Sequence, residues 1–448
     1  MPAGKLLQVL YDPRVPQKPP SEHRLVFGPA QWQRSPYLYA ATCYCPTTAV
    51  MTQSLIQRFS VPLEYPVVFT RDVFAAENNA LADAISRREP HRRQRCLCII
   101  EQRVADLWPG LSARFEDYVR AHSATLVQAA ETLVIPGAEE CKNDPEALGK
   151  LHAYFEAARM DRHSTVIIVG GGGLQDLVGY AAATTHRGVR VVRVPTTVLS
   201  QADSAVGVKN GVNAFGKKNF LGTFAAPFAV IVDPNFLRTL PQRDAVAGMA
   251  EAIKVALIKD PAFFAWMRAQ APALAGVEDE AVSYLVRRCA ELHLTHIATA
   301  GDPFEFGSAR PLDFGHWSAH KLESMTHHRL SHGEAVAIGI GIDTRYCVEA
   351  GMLSEGDAES ILSLIEQLGL SLWDSALERE SAAGLEILQG LEEFREHLGG
   401  ELTVTLLDGI GRGREVHALD LGLLRKSLSY LRSRARRPKS AVQPSTSP

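Results

Sequence analysis

Thr165-Val166-Ile167-Ile168-Val169 runs directly into Gly170-Gly171-Gly172-Gly173 and then Leu174-Gln175-Asp176. A short β-branched run, a cluster of glycines and then an alanine-rich segment of helical spacing read as a strand that turns tightly into a helix. Glycines at a strand end let the backbone approach a ligand closely, and the amides that open the next helix favour a pyrophosphate. The pattern is not G-x-G-x-x-G, and the same glycines would also serve a tightly packed turn with no ligand. Glu101 closes another apolar run, where a carboxylate either accepts the hydroxyls of an adenosine ribose or ends the strand in solvent. Thr196 and Thr197, after Pro195, put hydroxyls at the same sheet edge or cap a helix.

Outward from that turn, Cys96–Ile100, Leu133–Ile135, Val191–Val194 and Phe228–Val232 repeat the pattern of short apolar runs separated by helical spacing. This predicts an α/β half with a largely parallel sheet. Beyond about residue 240 strand signals nearly vanish, and amphipathic stretches such as Arg243–Ile258, Asp279–Ala300 and Ala358–Leu368 predict a mainly helical half. The expected organisation is an irregular extension over residues 1–60, an α/β domain over 61–240, a helical domain over 241–432 and a disordered basic tail over 433–448.

The 448 residues suffice for two domains, and 46% apolar and 22% charged residues with a net charge of −3 describe a globular chain. The one concentrated basic run, Arg432, Arg434, Arg436, Arg437 and Lys439, leads into a Ser/Pro-rich end that reads as a solvated tail rather than a nucleic-acid site. Seven cysteines, with the pairs Cys43/Cys45 and Cys96/Cys98 one residue apart, match neither a zinc motif nor a redox pair. Without a signal segment or a membrane-length apolar window, the chain is expected to be soluble and cytoplasmic, with no membrane partner.

His316 and His320, four apart in Asp313-Phe314-Gly315-His316-Trp317-Ser318-Ala319-His320, share one helix face. With His332 of Ser331-His332-Gly333-Glu334 and Glu251 of Gly248-Met249-Ala250-Glu251, one carboxylate and two imidazoles from these three segments make a three-ligand set of the kind a catalytic zinc needs. His293, His296, His327 and His328 are equally visible, and spacing alone does not choose among them. Between the halves, Gln201 to Asn210 and Gly216-Lys217-Lys218-Asn219 place lysines and amides at loop positions that suit a phosphorylated ligand or a solvated basic loop.

Together these stretches resemble the dehydroquinate synthase superfamily, the sugar phosphate cyclases, in unbroken order from about residue 96 to about residue 410. The resemblance implies an N-terminal Rossmann-like NAD-binding domain followed by a mainly α-helical metal-binding domain. It implies Glu251, His316 and His332 as ligands of zinc or cobalt. For NAD it implies Glu101, Glu139, Lys142, Gly170, Gly171, Gly172, Asp176, Thr196, Thr197, Leu199, Lys218, Phe236 and Thr239. Substrate groups are implied at Asp203, Lys209, Asn219, Lys254 and His320, and Arg187 corresponds to an arginine lent to the neighbouring subunit's phosphate site in a homodimer.

Several positions depart from dehydroquinate synthases. Asp313 stands where they carry Asn, and an ungapped reading puts Thr295 and Ala309 where a Lys and an Arg hold the substrate carboxylate, with Arg310 one position off. Losing two cations disfavours a carboxylated substrate, because its anion would be buried unpaired. Glu393-Phe394-Arg395-Glu396-His397-Leu398-Gly399-Gly400 resembles the sedoheptulose 7-phosphate cyclases and adds Arg395 as a phosphate candidate. The expectation is therefore a lyase that converts sedoheptulose 7-phosphate to a valiolone-type cyclitol with recycled NAD. A 3-dehydroquinate synthase and a metal- and NAD-dependent polyol dehydrogenase are the alternatives.

Overall fold

The computed structural model describes residues 54–437 apart from residue 60, residue 216, residues 300–303 and 305–311, residue 383 and residue 398. Contacts divide the chain into Met1–Pro62 and Leu63–Pro448, and every element below belongs to the second unit. Most of the expected extension thus lies outside the described residues, as do Ala309 and Arg310.

Seven parallel strands form the sheet: β1 (Val67–Phe69), β2 (Gln94–Glu101), β3 (Leu126–Gln128), β4 (Leu133–Ile135), β5 (Thr165–Gly170), β6 (Arg190–Pro195) and, after the hairpin below, β9 (Ala229–Val232). Their order is β1-β9-β6-β5-β2, and β2 then pairs with β3 near its start and with β4 near its end. The period of two decides the packing. Cys96, Cys98 and Ile100 of β2 join Leu81, Phe115 and Tyr118 on one face, while Leu97 and Ile99 join Leu151, Phe155 and Leu177 on the other. Helices α1 (Ala80–Ser86), α2 (Gln102–Leu107) and α3 (Leu111–Ala121) follow β1 and β2, and α4 (Ala147–Ala157) and α5 (Gly172–Thr184) flank β5. A sheet buried on both faces needs continuous apolar strands, which is why these were legible.

The lysine stretch, expected as loop, is a hairpin of β7 (Lys209–Ala214) and β8 (Lys217–Phe224) preceded by one π-helical turn, Ser200–Ser204. Its Gly-, Asn- and Lys-rich sequence lacks the apolar alternation of a core strand, since β8 is mostly exposed.

The second half is helical: α6 (Gln242–Lys259), α7 (Pro261–Ala269), α8 (Ala271–Ala275), α9 (Asp279–Thr299), α10 (His316–Met325), α11 (His332–Glu349), α12 (Glu355–Gln367), α13 (Gly390–His397) and α14 (Leu421–Ala435). Helix α11 is buried almost end to end at the centre of the bundle. Four short strands were not anticipated: β10 (Glu380–Ser381) with β11 (Gly384–Leu385), and β12 (Val404–Leu407) with β13 (Gly413–Val416). The basic run does not begin a tail at residue 433. Helix α14 continues to Ala435, and Arg434 pairs with Glu359 and Glu366, so that charge serves helix packing; residues 438–448 of the expected tail lie outside the described residues. No helix among the described residues is long and apolar enough to cross a membrane.

Candidate active site

A cavity of about 800 Å³ opens where the C-terminal ends of β2, β5 and β6 meet the helical half. Its sheet side is built by the glycine turn. Gly171 is extended and α5 begins at Gly172, so the first amides of the helix face the cavity. A Cβ on Gly173 would lie 2.2 Å from the Ala138 carbonyl oxygen, which means that the Gly137–Glu139 loop crosses directly over the turn. Ala138 pays for that crossing with φ of +57°, rarely adopted by a residue with a side chain.

Glu101 lines the cavity, but its Oε2 accepts the Gly171 N–H at 2.7 Å and its stem packs against Gly137 and Gly170. It braces the turn as much as it faces solvent. Thr196, Thr197, Leu199, Phe236 and Thr239 line the same end, where Thr239 Oγ1 accepts the Trp108 indole N–H at 2.9 Å.

The hairpin brings its polar groups across the opening. Lys142, buried, donates to Asp176 Oδ2 at 2.9 Å and to Asn219 Oδ1, and it lies 3.4 Å from Glu139 Oε1. Burial pushes the Asp176 carboxyl up while Lys142 pulls it down, with a net rise. Lys218, from the same hairpin, pairs with Glu323 Oε1 at 2.9 Å. Lys209 also lines the cavity.

The helical side depends on close helix crossings. A Cβ on Gly333 would fall 2.0 Å from the Ala247 carbonyl oxygen and one on Gly339 2.0 Å from that of Gly315, so glycines let α11 press against α6 and against the start of α10. That contact brings Glu251 of α6 together with the first residues of α10 and α11, His316 and His332. One ligand atom from each of the three lies within 4.8 Å of the others. His316 Nε2 is 3.4 Å and His332 Nε2 3.3 Å from Glu251 Oε1. Glu251 sits just behind the cavity wall, and neither of its oxygens has a hydrogen bond of normal geometry, although Lys254 Nζ contacts Oε2. Burial would raise Glu251, but Lys254 and the two imidazoles hold it well below the usual carboxylate range.

Two carboxylates that sequence reasoning missed hold this set in place. Glu323 Oε2 lies 3.0 Å from His332 Nδ1, leaving Nε2 to face Glu251. Despite burial, which opposes charge, Glu323 raises the His332 imidazole to about 9. Asp343, fully buried on α11, accepts the Gly315 N–H and the Trp317 indole N–H, both at 2.8 Å, and so anchors the start of α10 on either side of His316.

On the floor, Asp203 Oδ1 lies 2.6 Å from His293 Nδ1. Burial favours the neutral acid, yet His293 holds Asp203 below its ordinary value. Of the ambiguous histidines, His293 and His296 line the cavity, whereas His327 and His328 are exposed in left-handed turns beyond α10. Lys254, raised by Glu251 and Asp203 against its burial, faces Asp313 as well. His320 is exposed and opens onto the cavity. Desolvation by the surrounding cavity walls lowers its imidazole well below the ordinary value, and His316 and Lys218 add to that.

Two expected residues stand apart. Arg395 does not line the cavity: α13 turns Phe394 inward and leaves Arg395 exposed in a pair with Glu392. Arg187 is exposed in the turn after α5, at the opposite end of that helix from the glycines, and does not line the cavity.

Comparison with known proteins bears on the same residues. The 3-dehydroquinate synthase N-terminal family model matches residues 132–247 and the C-terminal model residues 248–389, together more than half of the 448 residues. A 3-dehydroquinate synthase from Halorhodospira halophila (strain DSM 244 / SL1) is 37% identical over 296 residues, which are 63% of this chain and 80% of that protein. ValA, a 2-epi-5-epi-valiolone synthase from Streptomyces hygroscopicus subsp. jinggangensis 5008 with NAD+ and Zn2+ bound, has a similar structure. Its TM-score is 0.75 at 27% identity, covering 85% of this chain and all (100%) of that one. A 2-deoxy-scyllo-inosose synthase complexed with carbaglucose-6-phosphate, NAD+ and Co2+ shares the fold, with a TM-score of 0.66 at 20% identity over 81% of this chain and 96% of that one.

Proposed function

The chain belongs to the 3-dehydroquinate synthase family of sugar phosphate cyclases, and we propose that it converts sedoheptulose 7-phosphate to a valiolone-type C7 cyclitol with release of phosphate. The observation that carries the choice of substrate is Asp313. It lines the cavity next to His316 and acts on Lys254, which already faces Glu251 and Asp203. Thr295, the counterpart of a carboxylate-binding lysine, bonds the Glu291 carbonyl at 2.8 Å on the exposed side of α9. A substrate carboxylate beside Asp313 would meet like charge, with Lys254 already engaged by Glu251 and Asp203, and burying an unpaired anion is costly. A polyhydroxylated chain without a carboxylate would donate to Asp313 instead.

The residues fit a divalent cation. Glu251, His316 and His332 offer one carboxylate and two imidazoles, and the unsatisfied Glu251 oxygens are the kind of buried acceptor that a cation completes. The glycine turn, with backbone amides at a helix start, likewise fits the pyrophosphate of NAD. When bound, the metal supplies Lewis acidity toward adjacent substrate hydroxyls and NAD a reversible hydride acceptor.

This chain's own residues then do the positioning. Lys209, His320 and, from the hairpin, Asn219 surround the space suited to the phosphate, where a point charge and directional donors stabilise the leaving anion. Lys142 holds Asn219, and Asp203 with His293 holds a proton at the floor. The substrate is transiently oxidised, loses phosphate by elimination, is reduced again and closes by intramolecular aldol reaction. We assign the cofactor role to residues 61–240 and the metal role to 241–432 of a cytoplasmic homodimer in which the exposed Arg187 reaches the partner's phosphate site.

The test is phosphate release by zinc-loaded protein with catalytic NAD. Sedoheptulose 7-phosphate is compared with the carboxylated heptulosonate phosphate used by 3-dehydroquinate synthases. Turnover of the first alone is expected. Turnover of the second alone would make the protein a 3-dehydroquinate synthase, the reading favoured by its curated relative. Stoichiometric NADH without phosphate would point to a dehydrogenase.

A further inference from the structure

Arg193 occupies the middle of β6, in the interior of the sheet, and is 1% exposed. A buried guanidinium is expensive unless its donors are used, and it ordinarily sits against a carboxylate; both terminal nitrogens of Arg193 are used and its Nε is left without a partner. Here none of its hydrogen-bond partners is a carboxylate. Nη1 donates to the carbonyls of Ser204, Ala205 and Gly207 at 3.3, 2.9 and 2.8 Å, and Nη2 to the Lys209 carbonyl at 3.2 Å and Asn210 Oδ1 at 2.7 Å. The Tyr65 hydroxyl donates to the Val206 carbonyl at 2.7 Å, and the Ala225 N–H donates to the Val208 carbonyl at 2.8 Å. Every carbonyl from Ser204 to Lys209 thereby has a donor. Room for this comes from α5, where a Cβ on Gly179 would fall 2.0 Å from Asn210 Oδ1.

The segment so held connects Asp203 to Lys209, both of which line the cavity. We infer that Arg193 is a positioning residue, a buried cation that fixes the Ser204–Lys209 backbone through its carbonyls and so sets Asp203 and Lys209 toward the phosphorylated substrate. The inference rests on the proposed reaction for what those two residues hold, but not for the clamp itself. A lysine cannot replace the planar fork, because one ammonium cannot reach acceptors on two sides at once.

The experiment uses the full chain, with Arg193→Lys and the milder Tyr65→Phe. Amide hydrogen exchange is read by mass spectrometry, NAD affinity by fluorescence, and KM and kcat with sedoheptulose 7-phosphate. Losing hydrogen bonds to a charged group should speed exchange between Ser204 and Asn210 by about tenfold or more in Arg193→Lys, and less in Tyr65→Phe. KM for the sugar phosphate should rise by about tenfold while NAD affinity stays within about twofold. Unchanged exchange in that segment would overturn the inference, as would an equal rise in the Gly170–Gly173 turn, which would mean general loosening. If Arg193→Lys does not fold, Tyr65→Phe decides by the same two exchange windows. A wild-type protein that turns over neither sugar would sink the functional reading, and exchange would still decide the clamp.

Discussion

The two walls of the cavity are stabilised in different ways. On the sheet side the charged groups are mostly paired: Lys142 holds Asp176 and Asn219, Gly171 donates to Glu101, and Arg193 takes up the carbonyls beneath the loop, while the Ser204 hydroxyl and Arg193 Nε are left without partners. On the helical side Glu251 is left with two buried oxygens that lack normal hydrogen bonds, while Glu323 and Asp343 fix the histidines around it. A wall whose carboxylates are already paired binds by shape and backbone. An unsatisfied one is poised for a cation, since an unmet buried acceptor costs more than a met one gains. Substitutions on the helical side should therefore cost more.

The largest effect is expected at Glu251. Glu251→Gln removes the anionic ligand and the counter-charge of Lys254, and metal catalysis is worth several kcal/mol, so turnover should fall on the order of 10³-fold or more. Metal content by elemental analysis should fall with it, while NAD affinity holds. If NAD affinity collapsed equally, the two walls would not be separable.

Next comes Glu323→Gln, which keeps the shape but takes the charge from between Lys218 and His332. Metal affinity by chelator competition should drop about 10- to 100-fold, as for other carboxylates that orient a ligating imidazole. An unchanged affinity would mean that His332 is oriented by packing alone. On the sheet side, Gly173→Ala drives a Cβ against the Ala138 carbonyl and must shift the crossing loop. Overpacking of this kind costs about 1–3 kcal/mol, so NAD affinity should weaken by about tenfold with metal content unaltered.

The same contrast explains what the sequence made legible. Runs such as Thr165–Val169 are buried on both faces, so their apolar continuity is visible residue by residue, and the glycine turn follows from the strand end. His316 and His332 stood out through motif resemblance, and His332 also sits at a capping box of Ser331 and Glu334 that marks a helix start. Glu323, Asp343 and Arg193 did not stand out, because a charged residue inside a helix or strand looks solvated until tertiary packing buries it. Glu323 could have been found, three residues beyond His320 on the same helix face. His293 could not, because its partner Asp203 is distant in sequence and nothing local separates it from His296. Arg395 misled for the opposite reason. Its segment resembles a phosphate-binding one, but the amphipathic phase of α13 turns Phe394 inward instead.

Asp343 gives the mildest test of the same comparison, through pH. Burial pushes its carboxyl up to about 7 from 3.8, although the Trp317 and Gly315 N–H groups favour the charged form. A carboxyl raised by folding contributes stability that is fully present below its unfolded value and is lost as pH rises through its folded value. The margin of the wild type over Asp343→Asn should therefore shrink between about pH 4 and pH 7, with a slope of at most about 1.4 kcal/mol per pH unit. Chemical denaturation of both proteins across that window measures it, and taking the difference cancels the groups they share. A margin that grew with pH would mean that the two N–H donors outweigh burial, so that Asp343 is an ordinary anion and the anchor of α10 is strongest at neutral pH. The expected shrinkage would instead show the helical wall carrying a second carboxylate held against its preference, stabilising the geometry of His316 at some cost to the fold.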